Sequence, residues 1–254
     1  KEINTRLWLK QLRVKKSLPG MKLSSVPDEE WLELRHLGFD IVWLVGVWEL
    51  SPESERIARE DKTLLEDIRN LPPGFGPGAV GASPYSVHWY RLNAELGLEW
   101  ELKALKEKLN SMGMKLMVDL VSNHTAKDNP YIKECPDCFI NGSEEDFKAH
   151  PDWFFEMTEG EKKRYIAYGR DPNFPAWTDS AQLNYFNPAT RDCMLSVLMR
   201  IADMADGVRC DMVMLTLNEI HDTTWGSLLS RGGYKRPQDE FWEMYRAEVE
   251  RLRA

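Results

Sequence analysis

FDIVWLVGV (39–47) is a near-continuous apolar run, the pattern of a strand buried on both faces rather than one with a wet side. MKLMVDLV (114–121) reads as another such buried strand, and GVRCDMVML (207–215) as a further strand. Between these runs lie helical stripes: ELKALKEKLNSMG (101–113), closed by Gly113, then TRDCMLSVLMRIADM (190–204), with a last one expected from Pro237 onward. Upstream, INTRLWL (3–9) alternates like a strand, and PDEEWLELRHLG (27–38) reads as its helix, ending at Gly38. Four successive strand-helix units predict a parallel sheet, either doubly wound or closed into a barrel. Periodicity does not choose between them. Charged and amide residues cluster just after the strands' C-terminal ends, where both architectures place ligands.

The 254 residues carry a net charge of -8. No basic stripe is present, so a nucleic-acid partner is not expected. No apolar run approaches the roughly 18 to 20 residues that cross a bilayer, and the start at Lys1 lacks a hydrophobic signal core, so the chain reads as soluble. Both ends read as cut, because there is no initiating Met and FWEMYRAEVERLRA (241–254) has no helix stop. Cys135 and Cys138 in ECPDCF have the spacing of a zinc or redox pair, but no second such pair supplies the remaining ligands, which favours ordinary thiols. Two N-x-S/T triplets, at Asn123 and Asn141, matter only in a secreted eukaryotic protein.

Two long loops have the composition of a binding surface. LPPGFGPGAVGASPY (71–85) is rich in Gly and Pro, and 151–186 holds nine aromatic residues from Trp153 to Phe186. Such rings either stack on the apolar C–H faces of sugars or fill the core of a small subdomain. No Gly-rich phosphate loop follows any strand.

In GVRCD (207–211), strand alternation puts Arg209 and Asp211 on one face. A guanidinium beside a carboxylate favours the ionised form that a nucleophile requires. A structural buried ion pair fits the same pattern.

Taken with VDLVSNH (118–124), SPYSVHWYRLNAELG (83–97) and QLNYFNPATRD (182–192), this segment resembles the α-amylase family of retaining glycosidases, in order and over essentially the whole chain. The resemblance implies an α/β (β/α)8 TIM barrel, of which about the first four βα units are present. Residues 1–120 would hold three barrel strands with a long loop after the second, 121–187 an insertion like the family's domain B, and 188–254 the third helix, fourth strand and fourth helix. It implies hydrolysis of α-glucosidic bonds in glucans or oligosaccharides, or transfer between them, with Asp211 as nucleophile and Arg209 as its partner. By the same resemblance His124 and Tyr85 line the sugar subsite, Tyr85 as stacking platform, while Asp119 holds the site together. No cofactor is implied as a requirement; Asn123 matches a residue that binds Ca²⁺ in many members.

Departures narrow the expectation. Met214 and Leu215 stand where many amylases have Lys-His, which argues against a starch-cleaving endo-amylase, and Trp89 stands where Asp is common. The family's acid/base Glu follows the fifth strand and a further Asp the seventh, both beyond Ala254. Residues 1–254 alone are therefore expected to be inactive, and Glu219 is not assigned the acid's role. The competing expectation is a non-catalytic relative in which the barrel is a scaffold.

Overall fold

The computed structural model describes residues 1–70 and 80–253. Most of the Gly/Pro-rich stretch 71–85 thus lies outside the described residues. The chain divides into two compact units, one made of Lys1–Glu49, Trp89–Leu120 and Ser196–Asp211, the other of Leu50–His88, Val121–Leu195 and Met212–Ala254.

The first unit is built on a four-stranded sheet. Its strands Glu2–Asn4, Ile41–Val45, Lys115–Val121 and Gly207–Asp211 lie side by side in chain order. The first three are parallel, with Ile3 opposite Leu44 and Trp43 opposite Met117. A doubly wound sheet reverses its order at a switch point, whereas a barrel wall is laid down strand after strand in one direction. Alternation is visible in the burial: Val42, Leu44, Leu116 and Val118 are completely buried, while Trp43 and Met117 face the other way. The helix Asp28–His36 ends before Gly38 (φ 89°), and Glu99–Ser111 before Gly113 (φ 76°). A residue with a Cβ is strained at these angles, so both glycines act as stops.

Three sequence expectations need correction. INTRLWL is strand only to Asn4; Thr5–Lys15 is a helix. Asn4 caps it by accepting from the Leu7 N–H, 3.1 Å away, and Leu9 and Leu12 bury one face. The apparent alternation was the start of a helical stripe. GVRCDMVML stops being strand at Asp211, because Met212 takes a left-handed conformation (φ 48°) and a short 3-10 turn, Val213–Thr216, follows. The final region holds two helices, Asn218–Arg231 and Phe241–Arg253, where one was expected. The first escaped notice because its buried stripe is Asn218, His221, Trp225 and Leu229, helical in spacing but half polar.

The second unit contains the hairpin Phe154–Glu159 with Lys162–Ala167, edged by Asn141–Gly142, and the antiparallel pair His124–Ala126 with Ser180–Gln182. Ile140, Phe154, Ala167, Phe186, Trp225 and Leu229 form its core, with Trp153 and Tyr165 packed alongside. Most aromatic residues of 151–186 therefore fill a subdomain core; Phe174, 68% exposed, does not. Cys135 and Cys138 are disulfide-bonded to one another, with Cα atoms 5.4 Å apart, so the pair is neither a ligand set nor two ordinary thiols. Among the described residues, no helix is long and apolar enough to cross a membrane.

His221 gives this unit a pH dependence. It is completely buried between Tyr185 and Phe186, and its Nε2 accepts from the Tyr185 N–H at 3.3 Å. Burial pushes its pKa down from 6.5 to about 4, against a weaker upward pull from the Leu215 carbonyl. The unfolded chain therefore takes up this proton first as pH falls. The stabilisation is complete above the ordinary value of 6.5 and is lost on acidification to about 4, an effect of about 3 kcal/mol. Thermal midpoints measured from pH 7 to 4 should fall more steeply for the parent than for His221→Gln. Parallel curves would show that the buried ring is not the titrating group.

Candidate active site

In the first unit, Trp43, Asp119, Arg209 and Asp211 come together on one face of the sheet, alternating along the strands with the buried Val42, Leu44 and Val118. Arg209 and Asp211 form an ion pair within one strand, with Asp211 almost buried and Arg209 about one third exposed. The guanidinium also lies over the Trp43 ring, 5.4 Å from its centroid, which limits the directions from which it can reach the carboxylate. Asp211 ends its strand, and the left-handed Met212 turns the chain away immediately afterwards. A carboxylate with a fixed cationic partner at the C-terminal tip of a parallel strand is suited to nucleophilic attack.

Asp119 is completely buried and fully used. Its Oδ1 accepts from the Trp43 indole at 3.0 Å, its Oδ2 from the Gly46 N–H at 2.8 Å, and its backbone carbonyl from the Trp48 indole at 2.7 Å. Burial pushes its carboxyl above the usual range; the Gly46 and Trp43 bonds and the Arg209 charge oppose this, and Asp211 adds to it. Asp119 thus fastens the end of the Ile41–Val45 strand, where Gly46 (φ 74°) begins the turn, to the neighbouring strand. Trp43, Gly46 and Trp48 were not foreseen as supports. The only trace of them in the sequence is two tryptophans in an otherwise aliphatic run.

Tyr85, Asn123 and His124 belong to the second unit. His124 opens the short strand paired with Ser180–Gln182, opposite Gln182. Gln182 and Asn123 exchange amide bonds: Gln182 Nε2 donates to Asn123 Oδ1 at 2.9 Å, and Asn123 Nδ2 donates to Gln182 Oε1 at 3.2 Å. Asn123 Nδ2 also lies 3.5 Å from His124 Nδ1. The Asn123 side chain is thereby engaged in holding the loop. A calcium shell needs several hard oxygens, and among the described residues no group of three acidic, His or Cys side chains is placed to hold a metal.

Tyr85 is half-buried on a loop held by serines. Its N–H donates to Ser83 Oγ at 3.2 Å, the Ser83 N–H to Ser54 Oγ at 3.1 Å, and Ser86 Oγ to the Asp179 carbonyl at 2.9 Å. Trp177, one of the nine aromatic residues of 151–186 but given no role of its own by the family resemblance, packs against His124 with ring centroids 5.0 Å apart. A cavity of about 470 Å³ in the same unit, lined by Arg56, Lys127, Asp128 and Phe155 among others, includes none of the expected site residues. Met214 is 46% exposed and Leu215 is buried, so the position where many amylases reach out with a charged side chain is apolar.

Residues 32–253 match the family model described as Alpha amylase, catalytic domain. The alpha-amylase MalA of Haloarcula japonica is 26% identical over 138 residues, covering 53% of this chain and 18% of the relative. The oligo-1,6-glucosidase of Parageobacillus thermoglucosidasius is 25% identical over 198 residues, 71% of this chain and 29% of that protein. The chain thus spans less than a third of either curated relative. The crystal structure of Bacillus licheniformis trehalose-6-phosphate hydrolase superposes with a TM-score of 0.52 at 20% identity, over 75% of this chain and 32% of that one. With the strands in sequential order, the parallel sheet is part of a (β/α)8 barrel.

Proposed function

We propose, from the premise that this chain belongs to the alpha-amylase family, that the protein containing it hydrolyses or transfers α-glucosidic bonds with retention through Asp211. The observation that carries the reading is the Arg209–Asp211 ion pair at the strand tip, beside the Asp119 fastening. The names of the curated relatives, an alpha-amylase and an oligo-1,6-glucosidase, support α-glucans or their oligosaccharides as substrate. Residues 1–254 would supply about the first four βα units, and 121–187 the domain-B-like insertion.

In the first step an Asp211 carboxylate oxygen bonds to the anomeric carbon as the glycosidic C–O bond breaks. The leaving oxygen takes a proton from an acid that the family resemblance locates after a fifth strand. In the second step water, or a sugar hydroxyl in transfer, loses a proton to that same group and displaces Asp211. Arg209 orients the carboxylate and balances its charge before attack, Asp119 keeps the strand ends in register, and His124 and Tyr85 bind the sugar ring.

The test is to assay the full-length protein on maltooligosaccharides and an activated α-glucoside, following the product by proton NMR. An α-anomer formed first supports the reading; a β-anomer excludes retention, and no turnover on any α-glucoside favours the scaffold. Tyr85→Ala and His124→Ala should each lower kcat/KM on the order of 10²-fold while the thermal midpoint stays within a few degrees. Unfolding at ordinary temperature would instead give that residue a structural role.

A further inference from the structure

The closed loop from Gly169 to Trp177 carries a ring that the family resemblance did not assign. Trp31, Trp48 and Trp225 are almost completely buried, whereas Trp177 is only half-buried, so part of its indole reaches solvent. Its backbone is nevertheless tightly held. The Trp177 N–H donates to the Gly169 carbonyl at 2.8 Å, and its carbonyl accepts from the Ser180 N–H at 3.0 Å and from Ser180 Oγ at 2.7 Å. The Gly169 N–H donates to the same Ser180 Oγ at 3.0 Å. Two prolines, Pro172 and Pro175, stiffen the intervening DPNFP.

This loop is pressed against His124. A Cβ on Gly169 would lie 2.9 Å from His124 Cβ and 2.7 Å from Ser180 Oγ, so only glycine permits the approach. The indole then meets the imidazole at 39°, a tilt that leaves the two rings splayed rather than stacked face to face. The Tyr85 loop is tied to the same stretch, since Ser86 Oγ donates to the Asp179 carbonyl and Ser54 Oγ donates to Asp179 Oδ2 at 2.6 Å. Three rings of different sequence origin are thus carried on backbone that converges on Asp179–Gln182.

We propose that Trp177 is a sugar-contacting residue, its indole forming a wall beside His124 on which the apolar C–H face of a glucosyl ring packs. The proposal deepens the glycosidase reading and rests on it for the identity of the ligand. A C–H face packed on an indole is as favourable in the bound substrate as in the transition state. Its loss is therefore read mainly in KM, whereas an interaction confined to the transition state is read in kcat.

The experiment uses the full-length protein. Trp177→Ala should raise KM for maltotetraose about tenfold with kcat changed by about twofold or less, and Trp177→Phe should recover most of the loss. Thermal midpoints show whether either variant is merely misfolded. An unchanged KM in both variants, or a KM defect that Phe fails to recover in a folded protein, overturns the assignment. Calorimetric titration of maltotetraose into the Asp211→Asn protein, with and without Trp177→Ala, separates this proposal from the reading beneath it. Binding that weakens about tenfold with Trp177→Ala supports the wall even if the parent turns over nothing; binding that ignores Trp177, or no binding, overturns it even if the parent is a glycosidase.

Discussion

Asp211→Asn in the full-length protein is expected to lower kcat on α-glucosides by on the order of 10⁴-fold or more, with KM and the thermal midpoint little changed. The substitution is nearly isosteric, so the strand end and the turn at Met212 have no reason to move. What is lost is the anionic oxygen that must bond to the anomeric carbon. The amide oxygen is a much weaker nucleophile and cannot balance the charge that develops on the sugar. The ion pair with Arg209 is lost as well, but Arg209 is about one third exposed and regains water, so stability changes little. A fluorinated glycosyl trap should label Asp211 in the parent and no carboxylate in the variant. Labelling at another carboxylate, or a variant that keeps its turnover, would remove Asp211 from the nucleophile's role.

The second large effect is on stability. Asp119→Ala should destabilise the protein by about 3 to 5 kcal/mol, because two buried donors, the Trp43 indole and the Gly46 N–H, lose their acceptors and a small void opens. The thermal midpoint should fall by roughly 10 °C. Asp119→Asn keeps the shape but turns an NH₂ group toward one of these donors, so it should fall in between. The stability loss separates two roles for this residue. If Asp119→Ala melts with the parent while kcat collapses, Asp119 touches substrate; if it melts early and the remaining folded protein retains catalysis, Asp119 is a positioning residue that acts through the strand ends.

How much of the candidate site was legible depended on distance along the chain. Arg209 and Asp211 are two residues apart on one strand, so strand alternation alone brought them to one face, and the structure has them paired. The Asp119 fastening is different. Trp43 and Gly46 lie more than seventy residues upstream, and no local pattern announces that an indole from one strand will donate to a carboxylate on the next. The pairing of Asn123 with Gln182 and the packing of Trp177 on His124 are long-range in the same sense.

The sequence by itself determined the class of the fold, because runs such as FDIVWLVGV and MKLMVDLV are apolar enough only for strands covered on both faces, and the glycines after the helical stripes stop them for a steric reason that needs no partner. It misjudged Thr5–Lys15, where a side-chain cap on Asn4 turned an apparent alternation into a helix, and it missed Asn218–Arg231, whose buried stripe is partly polar. Only the tertiary structure decided that the strands run in sequence order rather than reversing, that most aromatic residues of 151–186 are core, and that Asn123 spends its amide on Gln182. In each of these the deciding contact joins segments far apart in the chain, and burial, not local propensity, selects it.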